Sequence, residues 1–121
     1  MTTESSIMHR VMLALSAMRC RVFRNNVGLT PPIPPDNRRV QYGLCPGSSD
    51  LIGWRVATIT PDMIGRRVAI FMAVEVKQPG RHPTKEQRNF LSAVKHAGGI
   101  ALTVHSEIDA VSQLKAEPFR E

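Results

Sequence analysis

Arg67-Val68-Ala69-Ile70-Phe71-Met72-Ala73-Val74-Glu75-Val76-Lys77 is the stretch on which the fold turns. Its apolar run is unbroken over residues 68–74 and rich in strand-forming side chains. Continuous rather than alternating hydrophobicity over this length predicts a central strand buried on both faces. Two charges close the run. Alternate residues of a strand share a face, so Glu75 and Lys77 project together while Val74 and Val76 point to the other side. Burying a carboxylate and an ammonium is costly unless they have a partner or a task. An ordinary ion pair where the strand leaves the core is the plain alternative. With 10 acids and 4 lysines in 121 residues, an acid-x-Lys triplet arises by chance about 0.3 times, so the triplet alone decides little.

Working outward, residues 84–87 (Thr-Lys-Glu-Gln) match a capping box, followed by Phe90, Leu91, Val94 and Ala97 at helical spacing. Gly98 and Gly99 end that helix, and residues 100–104 form a short buried strand. Ser106 caps a last helix with Ile108, Val111 and Leu114 inward. Upstream, residues 48–60 read as a strand with Leu51, Ile52, Trp54, Val56 and Ile59, and residues 61–65 as a turn. Residues 26–47 hold Pro31, Pro32, Pro34, Pro35 and Pro46. Such a density of fixed φ angles and missing donors predicts a loop rather than a strand or helix, and a loop of about 20 residues is more often functional than accidental. Residues 20–25 alternate as a short strand. Residues 4–19 place Ile7, Met8, Val11, Met12, Leu15 and Met18 at helical spacing, with Thr2 or Thr3 as cap and Glu4 in the first turn. The expected architecture is a single α/β domain over residues 1–121, in αβββαβα order around a central mixed β-sheet flanked by helices.

Composition narrows the function. The 42% apolar content excludes wholesale disorder. Two cysteines, Cys20 and Cys45, are too few for a disulfide scaffold or a four-thiolate metal site and read as reduced thiols. No apolar run approaches the roughly 18 residues of a membrane span. Glu4 stands where a secretory leader carries positive charge, so a cytoplasmic location is expected, with no membrane partner. The net charge is +6, and 12 of the 16 basic residues are arginine. Guanidinium pairs bidentately with phosphate, so this excess suits a phosphate-rich partner, although a basic surface without a partner carries the same charge. Candidate phosphate contacts on flanking loops are Arg24, Asn25, Asn26, Arg38, Arg39, Arg81 and Lys85. The four histidines lack close metal-ligand spacing and read as surface or packed side chains. The six methionines read as core or subunit-interface filling, and 5% aromatics argue against a single-strand stacking platform.

Asp50 follows Gly47-Ser48-Ser49, where an isolated acid normally serves a turn. If strands 48–60 and 67–77 are antiparallel neighbours, Asp50 and Glu75 come together at one sheet edge beside Lys77. Two carboxylates there form a site for a hard cation such as Mg²⁺, which binds a phosphodiester oxygen and activates a water while Lys77 positions that water.

Five stretches carry a resemblance: Arg24-Asn25-Asn26-Val27-Gly28, Gly43-Leu44-Cys45-Pro46-Gly47-Ser48-Ser49-Asp50-Leu51-Ile52-Gly53, Ala73-Val74-Glu75-Val76-Lys77-Gln78-Pro79-Gly80-Arg81, Glu86-Gln87-Arg88-Asn89-Phe90-Leu91 and Ala97-Gly98-Gly99. In order along the chain, they resemble the virus-type replication-repair nuclease (VRR-NUC) domain of the PD-(D/E)XK nuclease superfamily, which has a restriction-endonuclease-like fold. The resemblance implies a metal-dependent deoxyribonuclease with Mg²⁺ or Mn²⁺ and no organic cofactor. By it, Asp50, Glu75 and the backbone carbonyl of Val76 are metal ligands and Lys77 is the catalytic lysine. Gln87 matches a glutamine on the helix behind the active site, and Glu4 an acid on the first helix near the metals. Both positions equally suit helix capping and the helix dipole. Ser49 replaces the proline of the superfamily name, and the 26–47 segment has no template. The resemblance further implies phage-type enzymes that act as homodimers on branched DNA, including four-way (Holliday) junctions. A non-catalytic DNA-binding module, or a nuclease subunit of a larger complex, are the alternatives.

Overall fold

Thr3 opens the first helix: its side chain accepts the Ser6 N–H, and α1 runs Glu4–Ala17 with Glu4 in the first turn. The structure is a computed structural model and describes residues 3–119. The chain divides into two compact units, Met1–Ala57 and Thr58–Glu121.

In the first unit, Arg19 takes a left-handed φ of 63° and turns the chain from α1 directly into β1 (Cys20–Arg24). Two short strands, β2 (Gly28–Leu29) and β3 (Gln41–Tyr42), pair antiparallel with each other. β4 (Leu51–Arg55) pairs antiparallel with β1, with Cys20 opposite Arg55 and Arg24 opposite Leu51. Phe23 and Trp54, diagonal neighbours on one face of that pair, hold their ring centroids 5.6 Å apart in a tilted contact. A Cβ at position 53 would overlap the Arg21 carbonyl, so the approach of β1 to β4 requires Gly53. β1 begins only at Cys20, immediately after the helix. Its length therefore ends β4 at Arg55 instead of the expected Thr60.

The proline-rich segment is not the irregular loop that its composition predicts. Beyond β2 and β3, the Thr30 N–H donates to the Val40 carbonyl, and an isolated bridge joins Ile33 to Arg38. Residues 28–42 are thus a β-hairpin. Its tip contains a cis Pro34-Pro35 bond and Asn37 at φ 56°. The prolines occupy positions where the ladder does not need their missing N–H groups, which is how a proline run and a hairpin coexist.

The second unit starts with a 3-10 turn, Pro61–Met63, and then follows β5–α2–β6–α3: Met72–Val76, Lys85–His96, Ile100–Val104 and Glu107–Lys115. β5 and β6 pair in parallel, Met72 with Ile100 and Val76 with Val104, the pairing that a helical crossover permits. Thr84 and Gln87 form the expected capping box at the start of α2. The core differs from the prediction. β6 carries it, with Ile100, Leu102 and Val104 buried and Ala110 of α3 packed against them. On β5, Val74 and Val76 are 45% and 71% exposed, so this strand is not buried on both faces. Its first rung comes at the Phe71 carbonyl, which accepts the Ile100 N–H; with a five-residue partner, residues 67–70 stay outside the ladder. Ile108, Val111 and Leu114 are exposed as well, because α3 meets β6 through Ala110 and Gln113, whose Nε2 donates to the Thr103 carbonyl.

The described residues hold three two-stranded ladders where one central mixed sheet was expected. β1, fed straight from α1, is the partner of β4, and the α2 crossover gives β5 its partner in β6. The expected antiparallel β4–β5 pair is not among them. No helix among the described residues is long and apolar enough to cross a membrane.

Candidate active site

Glu75 and Lys77 share one face of β5, as the period of two requires, and Lys77 Nζ lies 3.6 Å from Glu75 Oε1. Their side chains are partly open to solvent, so the pair itself contributes only about 0–1 kcal/mol to stability. The ladder also orients the backbone. The Phe71 carbonyl and the Lys77 N–H both bond to β6. Because peptide groups alternate sides along a strand, those of Val74 and Val76 face the opposite, outer edge of β5. The Val76 carbonyl is therefore directed away from β6, beside the Glu75–Lys77 pair.

A cleft of about 440 Å³ lies between β5 and the first half of α2. Phe71, Ala73 and Phe90 give it an apolar lining, and Glu75, Glu86 and Gln87 are its polar groups. Two predicted site residues, Glu75 and Gln87, thus meet in one cleft. Gln87 also performs the capping role: its Oε1 accepts the Thr84 N–H at 2.9 Å, and its own N–H donates to Thr84 Oγ1 at 3.2 Å. The Nε2 donors of Gln87 take no part in that box. Glu86 is a cleft residue that the sequence reading passed over. It enters the cleft through the packing of α2 on β5, which no local sequence pattern marks.

The end of β5 is held by a residue predicted only as a surface or packed histidine. His105 Nδ1 lies 3.1 Å from the Lys77 carbonyl and 3.2 Å from the Gln78 carbonyl. Both neighbours are acceptors, so Nδ1 carries the proton and donates. The His105 N–H donates in turn to Asp109 Oδ2 at 3.0 Å. The Gln113 amide and the His105 N–H hold the Asp109 carboxyl below its ordinary pKa.

In the first unit Asp50 is exposed, and among the described residues no donor engages its carboxylate. Its backbone is tightly fixed. The Asn25 N–H donates to the Asp50 carbonyl at 2.9 Å. Asn25 Nδ2 donates to Ser48 Oγ and the Ser49 carbonyl, both at 2.8 Å, and Oδ1 accepts the Leu44 N–H. The Asn25 side chain is engaged in building the turn before Asp50. Arg24, Asn26, Arg38 and Arg39 are exposed, as is Glu4, and so are Arg81 on the loop after β5 and Lys85 at the start of α2.

Among the described residues no three His, Cys, Asp or Glu side chains converge on one point. What the β5 end offers is an oxygen-only set, the Glu75 carboxylate and the outward Val76 carbonyl, at a solvent-open edge. Hard cations take such donors and complete their shells with water, so the residues fit Mg²⁺ or Mn²⁺ and do not fit a soft metal.

No curated protein and no solved structure matches the chain. A family model does, over residues 32–107. The match runs from the hairpin through Asp50, β5, α2 and β6 to the first residue of α3, well over half of the chain. Its nuclease character agrees with the charge pair and cleft on β5, and the chain belongs to the VRR-NUC domain family.

Proposed function

We propose that this VRR-NUC chain is a divalent-metal-dependent endonuclease that hydrolyses DNA phosphodiesters. We propose further that it works as one nuclease domain, as a homodimer, on branched duplexes such as four-way junctions. The observation that carries the reading is the Glu75–Lys77 pair at 3.6 Å beside the outward Val76 carbonyl, at the rim of the α2 cleft. Two equivalent sites related by a two-fold axis suit a substrate in which two strands are cut.

Glu75, Asp50 and the Val76 carbonyl would hold Mg²⁺ or Mn²⁺, which supplies Lewis acidity to the phosphodiester when bound. Lys77 orients the attacking water through its ammonium and balances the charge that builds on the phosphate oxygens. Gln87 donates from Nε2 into the same cleft, and Glu4 adds a carboxylate from α1. Arg24, Asn26, Arg81 and Lys85 contact phosphates and place the duplex without reading its sequence. Asn25 acts through Asp50, by holding its backbone.

The test is cleavage of linear, flap, splayed and four-way DNA with Mg²⁺. Glu75→Ala and Asp50→Ala are expected to lose activity by about 10²-fold or more and to keep DNA affinity. Undiminished cutting by Glu75→Ala overturns the assignment. Salt-sensitive binding by the unaltered chain without any cleavage identifies a DNA-binding module instead.

A further inference from the structure

The hairpin of residues 28–42 packs little of its apolar surface. Leu29, Val40 and Tyr42 are 58%, 42% and 47% exposed. Its backbone is nonetheless well hydrogen-bonded, through the β2–β3 pair, the Thr30 N–H to the Val40 carbonyl, and the Val40 N–H to Thr30 Oγ1. The register then shifts. Thr30 faces Val40, but the next bridge joins Ile33 to Arg38, so Pro31 and Pro32 together stand opposite Arg39 alone. Two residues against one is a β-bulge, a device that bends a ribbon and re-aims the side chains around it. Here it falls where two prolines supply no donor, and the residues beside it are Arg38 and Arg39. Both side chains are exposed, so the bulge leaves two adjacent guanidiniums on the surface of the ribbon.

The root of the ribbon is equally specific. Asn25, just before it, accepts the Leu44 N–H from just after it, and the same Asn25 bonds the Asp50 carbonyl. Chain entering and chain leaving the hairpin are thus fastened at the residue that fixes Asp50. The surrounding unit, Met1–Ala57, carries seven arginines, no lysine and three acids.

The geometry points to residues 28–42 as a DNA-docking arm: Arg38 and Arg39 hold phosphates on a duplex segment flanking the point of cleavage, with the ribbon lying in the groove. The inference rests on the nuclease reading above. The major groove admits a two-stranded ribbon, and exposed guanidiniums pair bidentately with the phosphates that wall it. Phosphate contacts of this kind give affinity and orientation rather than sequence choice.

The test is fluorescence anisotropy of the full chain on a labelled duplex and a labelled four-way junction, without divalent metal, across 50–200 mM salt. Each lost phosphate contact removes about 0.9 from the slope of log affinity against log salt. Arg38→Ala with Arg39→Ala is therefore expected to flatten the slope by about 1.8 and weaken binding about 60-fold at 0.1 M salt. With Mg²⁺, cleavage at subsaturating DNA falls by a similar factor, and cleavage at saturating DNA falls far less. The double lysine variant keeps the slope, which separates lost charge from misfolding. An unchanged slope and affinity in the alanine variant overturns the arm while cleavage leaves the nuclease reading standing. An unchanged slope with loss of self-association by light scattering overturns it too, and assigns the ribbon to contacts between copies. Because binding is read without metal, a chain that never cuts still reports on the arm.

Discussion

His105 illustrates how a side chain 28 residues away in sequence sets the position of the proposed catalytic lysine. Its single Nδ1 proton is shared between the carbonyls of Lys77 and Gln78, where β5 leaves its ladder. His105→Ala is expected to cost about 1 kcal/mol of stability, the loss of one shared hydrogen bond. Turnover is expected to fall while DNA affinity holds, with His105→Asn restoring part of the rate; denaturant titration and steady-state cleavage measure both. Asp109 carries a pH signature. Its folded pKa lies below the ordinary value of 3.8, because the Gln113 amide and the His105 N–H favour the charged form. Its contribution is complete above 3.8 and is lost as pH falls through the lowered value. Asp109→Asn should therefore flatten the acid limb of the stability curve in urea titrations from pH 6 to 2. At this scale Glu75 and Lys77 were legible in the sequence, since alternation is a local rule. His105, Glu86 and the hub at Asn25 were not, because each acts through a partner that only the fold supplies.

Helix starts were legible because caps are written within four residues: Thr3 with Ser6, Thr84 with Gln87, and Ser106 with Asp109. Strand lengths were not, because a ladder is only as long as its partner. β5 is trimmed to the five residues of β6, and the long apolar run of residues 68–74 sits partly outside it. The run also misplaced the core, which belongs to β6, the strand that both α2 and α3 pack against. Leu102→Ala is accordingly expected to cost about 2–5 kcal/mol, read by chemical denaturation. Thr84→Ala removes one half of the capping box and should cost about 1 kcal/mol. The box also separates two proposed site residues. Gln87→Ala should lose stability together with activity, whereas Glu75→Ala should lose activity with about 1 kcal/mol of stability or less, as a partly solvated pair implies.

Across the whole molecule, charge says more about function than shape does. Net +6 carried mostly by arginine is a footprint for polyanions, whereas the proposed chemistry depends on acids. The two should separate on chelation. EDTA is expected to abolish cutting of every DNA substrate and to leave binding and its salt dependence unaltered, measured by gel assay and anisotropy on the same preparation. The family was legible because its motifs are spread in order along the chain, and the model match over residues 32–107 bears that out. The hairpin was hidden by the very residues that shape it, since proline density argues against strands in any local reading. Those prolines have another effect. A bare two-stranded ribbon has open borders, to which a stray extended segment can add by backbone bonding. At positions 31 and 32 one border has no hydrogen to give, so a stray strand cannot zip onto it there.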